Sequence, residues 1–381
     1  MKRPAYIKDY SFIGISGVED DTNDALKRIH NLSNQLIQQD LNDHEKSVIQ
    51  QACRDLTSYK PTKKNGFWLR PHVLEELRRI TDDELPRYLF YRYRYDVYPE
   101  ERLLDAFPPC VQIEPTSVCN YRCIFCYQTD QAFTHKPNGH MGHMSFETFK
   151  RIIDEVEGKV EAVTLASRGE PLLCKSFVQM MDYVSDKFLG LKINTNAWHL
   201  NEKNAHAILS ANPNTVVFSV DAADAKLYEK MRVNGQFDRV YENIRRFSEI
   251  RARHYSDSRT ITRISGVRFD EDQSQEKMEA FWDGLVDQVA FVTYNPWENS
   301  YETPANKLSH PCSDLWRRTF IWWDGLVNPC DVDYRSTLAA GNINENSLSE
   351  IWQNNAYTNL RQAHNNGERQ SLTPCKGCVF Q

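Results

Sequence analysis

Three cysteines, Cys119, Cys123 and Cys126, stand in a CxxxCxxC spacing, and four more, Cys312, Cys330, Cys375 and Cys378, gather toward the end of the chain. Thiolates grouped in this way are soft ligands that suit iron–sulfur clusters or zinc. Three thiolates can hold three irons of a four-iron cube and leave the fourth iron open to a small molecule. Zinc asks for four ligands, and the nearest fourth candidates, His135, His140 and His143, form only a loose loop cluster. In the second set, a hairpin across Trp322-Trp323-Asp324-Gly325, with Asp-Gly as its turn signal, would bring Cys312 and Cys330 together. The Cys375-Lys376-Gly377-Cys378 pair would then complete a four-sulfur cage, whose spacing alone leaves zinc and iron–sulfur barely separated.

The surroundings support a metal reading of these thiols. The chain has 381 residues, enough for two or three domains, with 40% hydrophobic and 26% charged residues. A formal net charge of -6 offers no basic field for nucleic acid. No segment approaches the roughly 20 apolar residues that span a bilayer. Met1-Lys2-Arg3-Pro4 carries positive charges without the apolar stretch of a signal peptide behind them, so a cytoplasmic location is expected. In that reducing compartment the ten cysteines are ligands, catalytic thiols or core residues rather than disulfides. Cys53 and Cys110 read as structural.

The elements that must position the first set begin at about residue 106. Six strands are predicted, over Val111–Pro115, Val160–Ala166, Leu191–Thr195, Thr215–Val220, Thr260–Val267 and Val289–Tyr294. Helical patterns separate them, among them Phe146, Phe149, Ile152, Ile153 and Val156 behind Ser145 as N-cap, and Phe237, Val240, Ile244, Phe247 and Ile250. This alternation predicts an α/β fold with a parallel sheet covered by helices, whose chemistry sits at the C-terminal strand ends. The triad runs straight out of the first strand.

Residues 1–105 read as a mostly helical N-terminal extension, with Leu26, Ile29, Leu32, Leu36 and Ile37 at helical spacing and a second pattern over Leu74–Ile80. The Tyr- and Arg-rich run Tyr88–Tyr98 is expected to pack against the next domain, since large aromatics mostly bury. Residues 106–305 form the barrel domain. Residues 306–381 are turn-rich, with short helices expected around Leu348–Trp352 and Tyr357–Ala363.

The triad, with Phe125 before its last cysteine and its place at the first strand end, resembles the radical S-adenosylmethionine (radical SAM) superfamily, whose fold is a partial (β/α)6 TIM-like barrel. Ser167-Arg168-Gly169-Glu170-Pro171 is similar to that family's GGEP motif, with Arg in place of the first Gly. Asn194-Thr195-Asn196 is similar to TNG without its Gly, and Phe218-Ser219-Val220-Asp221 is similar to SxD. The resemblance implies a [4Fe–4S] cluster on Cys119, Cys123 and Cys126 that cleaves S-adenosylmethionine to a 5′-deoxyadenosyl radical. It also implies cofactor contacts at Phe125, Gly169, Glu170, Asn196, Ser219 and Asp221, where Asp221 has the alternative role of capping the next helix. The later cysteines, in the pattern Cys-x12-Gly-x4-Cys followed by CxxC, resemble a small Cys-rich twitch/SPASM-like domain with one auxiliary [4Fe–4S] cluster on Cys312, Cys330, Cys375 and Cys378.

The resemblance further implies a one-electron reductant such as flavodoxin or ferredoxin, and a polar substrate. Oxidation or epimerisation of a sugar or aminocyclitol is the leading expectation, and maturation of a ribosomal peptide is the alternative. A non-catalytic iron–sulfur or zinc scaffold is the alternative of another class. Cys174, three residues after Pro171, reads either as a hydrogen-atom donor to a substrate radical or as a small buried hydrophobe. Tyr294-Asn295-Pro296-Trp297 either lines the substrate pocket or packs under the tail.

Overall fold

A computed structural model describes residues 23–31, 41–57, 66–69 and 71–380. Leu32, Leu36 and Ile37, and the charged start Met1–Pro4, lie outside the described residues. The chain divides into two compact units, one over Gly14–Asp105 and one from Ala106 onward.

In the smaller unit, helices Asp43–Thr57 and Leu85–Glu101 carry most of the buried side chains. The Tyr/Arg run lies on the second of these, and several of its polar tips are paired within the unit. Tyr88 donates to Glu76 at 2.6 Å, Arg92 pairs with Asp96 at 2.8 Å, and Arg94 pairs with Asp105 at 3.0 Å. Buried cations need such partners, because an unpaired one would lose its hydration without compensation. Cys53 sits half-buried on the first helix, its thiol pushed up by burial.

In the larger unit all six expected strands form: β1 (Cys110–Ile113), β2 (Ala162–Leu165), β3 (Lys192–Thr195), β4 (Thr215–Ser219), β5 (Ile261–Arg268) and β6 (Gln288–Thr293). They pair in parallel and in chain order. Alternate residues face opposite sides of a strand. Val111, Ile113, Val163, Leu165, Ile193, Val216, Phe218 and Ile264 therefore share one apolar face, buried beneath Phe149, Ile152, Met180, Met181, Ile244 and Phe247 of the helices. Gln112, Thr164, Asn194, Ser219 and Ser265 share the other face, which is polar. Helix Phe146–Val156 begins where expected, with Ser145 Oγ accepting from Thr148 N at 3.0 Å. Such a cap stabilises by about 1 kcal/mol.

The tail departs from the expectation that regular alternation ends near residue 306. Strand β7 (Arg318–Ile321) lies parallel to β1, with Cys110 opposite Arg318 and Ile113 opposite Ile321. Strands β8 (Leu326–Asn328) and β9 (Gly341–Asn342) continue the sheet antiparallel, giving nine strands among the described residues. The run Thr319-Phe320-Ile321 has strand composition, but its partner lies some two hundred residues earlier, and no local pattern encodes that pairing. The helices Leu348–Gln353 and Asn355–Asn365 form near their expected places, the first with a full capping box between Ser347 and Glu350. Among the described residues no helix is long and apolar enough to cross a membrane.

Candidate active site and the two cysteine cages

Backbone beyond β1 is fixed before the first cysteine is reached. Glu114 N donates to Ile321 O at 2.9 Å, and Ser117 N donates to Gly142 O at 3.1 Å. A short antiparallel ribbon then joins Arg122–Cys123 to Arg232–Val233. Cys123 is buried, while Cys119 and Cys126 are partly so. Tyr121 N points at Cys119 Sγ (3.4 Å) and Gln128 N at Cys126 Sγ (3.5 Å), as amides oriented to a thiolate would. Burial pushes the Cys119 thiol up to about 12, and the neighbouring Cys123 adds to the shift. Cys126 rises for the same reasons, with Cys123 and Cys119 both contributing. Cys123 thus lies close enough to Cys119 and Cys126 to oppose their ionisation. A bound metal centre reverses that penalty, because a coordinating thiol deprotonates outright. The donor set fits a cluster that takes three cysteine ligands.

The strand ends close around this loop. Gly169, after β2, permits a backbone crossing: a Cβ there would lie 2.3 Å from Thr116 O and 2.6 Å from Val118 O. Its close approach is therefore to the cysteine loop itself, and Glu170 N donates to Val118 O at 2.9 Å. The Glu170 carboxylate, itself buried, accepts from Thr195 Oγ1 at 2.6 Å and from Asn196 N at 2.7 Å. Burial raises its pKa and these bonds oppose the rise. Asn196 in turn donates through Nδ2 to Asn120 Oδ1 at 3.0 Å, linking the end of β3 to the triad loop. Ala197 occupies the position of the missing glycine and keeps a left-handed φ of 59°. Ser219 ends β4 opposite Ser265.

Asp221 does not cap the following helix. Asp224 does so, accepting from Leu227 N at 2.9 Å. Asp221 is fully buried, accepts from Val267 N at 2.6 Å and pairs with Arg232 Nε. Arg232 reaches on to Cys123 Sγ at 3.8 Å and lies 5.7 Å from the Phe125 ring centroid. Its positive charge opposes the upward push of burial on the Cys123 thiol. Reading the sequence alone missed Arg232, whose only local signal is its place eleven residues after the acid it pairs with.

Arg168, which replaces a glycine of the motif, is a buried strut. Its Nε donates to Glu114 Oε2 at 2.7 Å and its Nη2 to Glu114 Oε1 at 2.6 Å. Nη1 donates to Tyr334 O at 2.9 Å, and the guanidinium lies 4.1 Å from the Trp322 ring centroid. Glu114 also accepts from Trp323 N at 3.2 Å. One ion pair thus joins the ends of β1 and β2 to the hairpin and to the segment after Cys330.

That hairpin forms between β7 and β8 across Trp322–Gly325. Gly325 is required there: its φ is 85°, and a Cβ would meet Asn344 Nδ2 at 2.4 Å. Cys330 is raised well above the usual thiol range by burial, Asp331 and the neighbouring Cys378, Cys312 and Cys375. Cys375 is pushed up to about 12 by burial, Cys312 and Cys378. Cys330 therefore lies near the other three sulfurs of the second set, and Cys375 near Cys312 and Cys378. Arg369, fully buried, braces this cage by donating to Cys378 O at 2.8 Å, His310 O at 3.2 Å and Cys375 O at 3.3 Å. Among the described residues no three His, Cys, Asp or Glu side chains converge as ligands of one metal ion, so the association of thiols is one of mutual influence.

The other candidates lie elsewhere. Cys174 is in the apolar core, its thiol 4.0 Å from Met144 O, and burial raises its pKa. Its surroundings are those of a small hydrophobe. Cys110 is buried at the start of β1. His140 stacks on Phe133, and His143 bridges to Thr116. In the segment after β6, Asn295 accepts from Val379 N at 3.0 Å and the Trp297 ring lies 6.0 Å from that of Phe380, so the tail packs there.

Comparison with known proteins places this geometry. Residues 113–281 match the radical SAM superfamily, and residues 312–379 match an iron–sulfur cluster-binding domain, SPASM. Mycofactocin maturase MftC of Mycolicibacterium smegmatis is 29% identical over 147 residues, which are 38% of this chain and 36% of the relative. The chain therefore spans about a third of that relative's length. The S-adenosyl-L-methionine-dependent 2-deoxy-scyllo-inosamine dehydrogenase of Niallia circulans is 20% identical over 277 residues, covering 72% of this chain and 94% of the relative. The structure of Streptococcus suis SuiB bound to precursor peptide SuiA superposes with a TM-score of 0.56 at 16% identity, over 91% of this chain and 81% of that one, which is a likeness of fold.

Proposed function

We propose a function from one premise: the chain belongs to the radical SAM superfamily, in the subgroup that carries an SPASM-type iron–sulfur domain behind the barrel. It uses S-adenosylmethionine and [4Fe–4S] clusters, one of them auxiliary. Cys119, Cys123 and Cys126 hold the first cluster, and Cys312, Cys330, Cys375 and Cys378 hold the auxiliary one. When bound, the cofactors supply one-electron cleavage of the sulfonium and a 5′-deoxyadenosyl radical that takes a hydrogen atom from the substrate. The observation that carries this reading is the open triad at the end of β1, hydrogen-bonded to the ends of β2 and β3 through Glu170, Asn196 and Asn120.

The chain's own residues then divide the work. Glu170, with Thr195, Leu172 and Asn196 already donating to it, keeps acceptor capacity on Oε2 for an ammonium. Ser219 and Asn194, on the polar face, present hydrogen-bonding groups to a ribose or a polar substrate. Asp221 and Arg232 hold the Cys123 side of the loop by an ion pair shielded from water, and Phe125 packs over them. Arg168 and Glu114 fix the auxiliary domain against the reaction side of the barrel.

The net reaction we assign is oxidation of a sugar or aminocyclitol alcohol, with the auxiliary cluster receiving the second electron and a small flavodoxin- or ferredoxin-like protein supplying the first. The likeness to the inosamine dehydrogenase over nearly its full length supports it. A second reading, peptide maturation, is favoured by the higher identity to MftC over a shorter stretch. Carbon-deuterated inosamine and a deuterated peptide encoded beside the gene separate them. Label passing into 5′-deoxyadenosine from the cyclitol supports oxidation, and label passing only from the peptide replaces it with maturation.

A further inference from the structure

A cavity of about 380 Å³ opens between the segment after the first cysteine triad, which contributes Asp130, and the segment after Cys330, which contributes Tyr334 and Arg335. Its remaining wall includes Glu298, Tyr301 and Glu302 from the loop beyond β6. The volume lies within the range of small-molecule sites. Its charges do not cancel. Arg335 is occupied by Asp130, donating through Nε at 2.8 Å and Nη2 at 2.5 Å, while its guanidinium lies 4.7 Å from the Tyr301 ring centroid. Tyr334 also donates to Asp130, at 2.8 Å. Glu298 and Glu302 have no cationic partner among the described residues, so the wall carries an excess of two negative charges.

One orphaned atom on a wall residue indicates what the cavity lacks. Glu298 accepts from Tyr294 through Oε1, but its Oε2 is closed off from solvent and has no donor among the described residues. Buried polar atoms of native proteins nearly always find partners, and a lone carboxylate oxygen costs more than a neutral one. The missing partner must donate to Glu298. The rings of Tyr301 and Tyr334, 5.0 Å apart in an edge arrangement, give the same cavity an apolar wall. A hard divalent cation would want six or more oxygen ligands, which two carboxylates and a salt-bridged acid do not supply.

We propose that this cavity receives the protonated amine of a small polyhydroxylated substrate, with Glu298 as the counter-charge and the tyrosine rings against the substrate's apolar face. The inference rests on the small-molecule reading above and narrows it to amine-bearing substrates. It is tested by titration calorimetry on the anaerobically reconstituted holoenzyme with S-adenosylmethionine present, using 2-deoxy-scyllo-inosamine and the neutral scyllo-inositol as probes. The amine is expected to bind about tenfold to a hundredfold more tightly than the neutral cyclitol, the ratio of a charged to a neutral hydrogen bond. Glu298→Gln, which keeps the shape, is expected to erase that preference, and Glu302→Gln to reduce it. Equal binding of the two probes, binding of neither, or a preference that survives in Glu298→Gln overturns the cavity assignment. Deuterium transfer judges the parent reading separately. Label passing from the inosamine equally well in wild type and Glu298→Gln removes the cavity and leaves the reading, whereas label passing from neither cyclitol removes both.

Discussion

The two cysteine cages are built by different means. The first is held by main chain crossing main chain: the β1 extension, the Gly169 crossing and the ribbon to Arg232–Val233 set its shape before any thiol is placed. Charged side chains flank it, with Arg232 against Cys123 and Glu170 close enough to raise Cys119. The second is braced by one buried side chain, Arg369, that gathers the carbonyls of His310, Cys375 and Cys378. Burial and neighbouring sulfurs raise both Cys330 and Cys375 there. On the function proposed above, the first cage would bind a molecule and the second would hold a cluster closed. The Glu114–Arg168 pair is the joint between them.

Removing single thiols should break the comparison most sharply. Cys126→Ala is expected to abolish formation of 5′-deoxyadenosine while about four irons remain per chain, the content of one cluster. Cys330→Ala is expected to lose a similar amount of iron while cleavage of S-adenosylmethionine persists. Iron analysis together with product chromatography checks both, and equal loss of cleavage in the two variants would mean that the cages are not functionally distinct.

Next in size is the joint. Arg168→Met leaves a buried Glu114 carboxylate without a partner and should destabilise the chain by about 3–5 kcal/mol. Adding Glu114→Gln should recover most of that loss, because a buried pair replaced at both ends is close to neutral. Denaturant unfolding of the single and double variants measures it. A single variant as stable as wild type would show that the strut does not hold the regions together.

Arg232→Gln probes the charged flank of the first cage. A group hydrogen-bonded to a metal ligand typically contributes about tenfold to a hundredfold in affinity or activity. The rate of S-adenosylmethionine cleavage should fall by that range, with the iron of the second cage unchanged. Loss of iron from the second cage would contradict the assignment of Arg232 to the first cage alone. Smaller again is Ser347→Ala, which removes the cap of helix Leu348–Gln353 and should lower stability by about 1 kcal/mol in thermal unfolding. A drop well beyond that would mean that the cap supports more than its own helix.

Much of this architecture is legible in the sequence. Val163 and Leu165, or Val216 and Phe218, mark strands by apolar alternation, Ser145 marks a helix start, and Asp324-Gly325 marks the hairpin that joins Cys312 to Cys330. What the sequence hides is pairing across distance. Arg168 meets Glu114 over 54 residues and Tyr334 over 166, so neither contact leaves a local pattern. The same holds for β7, which is recognisable as a strand but not as the parallel neighbour of β1. Asp221 reads in the sequence as a cofactor contact or a helix cap, and only the fold places Arg232 beside it.

The central claim is that one cage binds S-adenosylmethionine through an open iron and the other does not. Electron paramagnetic resonance of the reduced, anaerobically reconstituted protein, recorded with and without S-adenosylmethionine, tests it most directly. Two overlapping four-iron signals are expected in wild type, from about eight irons per chain. The added cofactor should shift only the signal that is missing in Cys126→Ala. A spectrum unchanged by S-adenosylmethionine, a shift that persists in Cys126→Ala, or zinc in place of iron would contradict it.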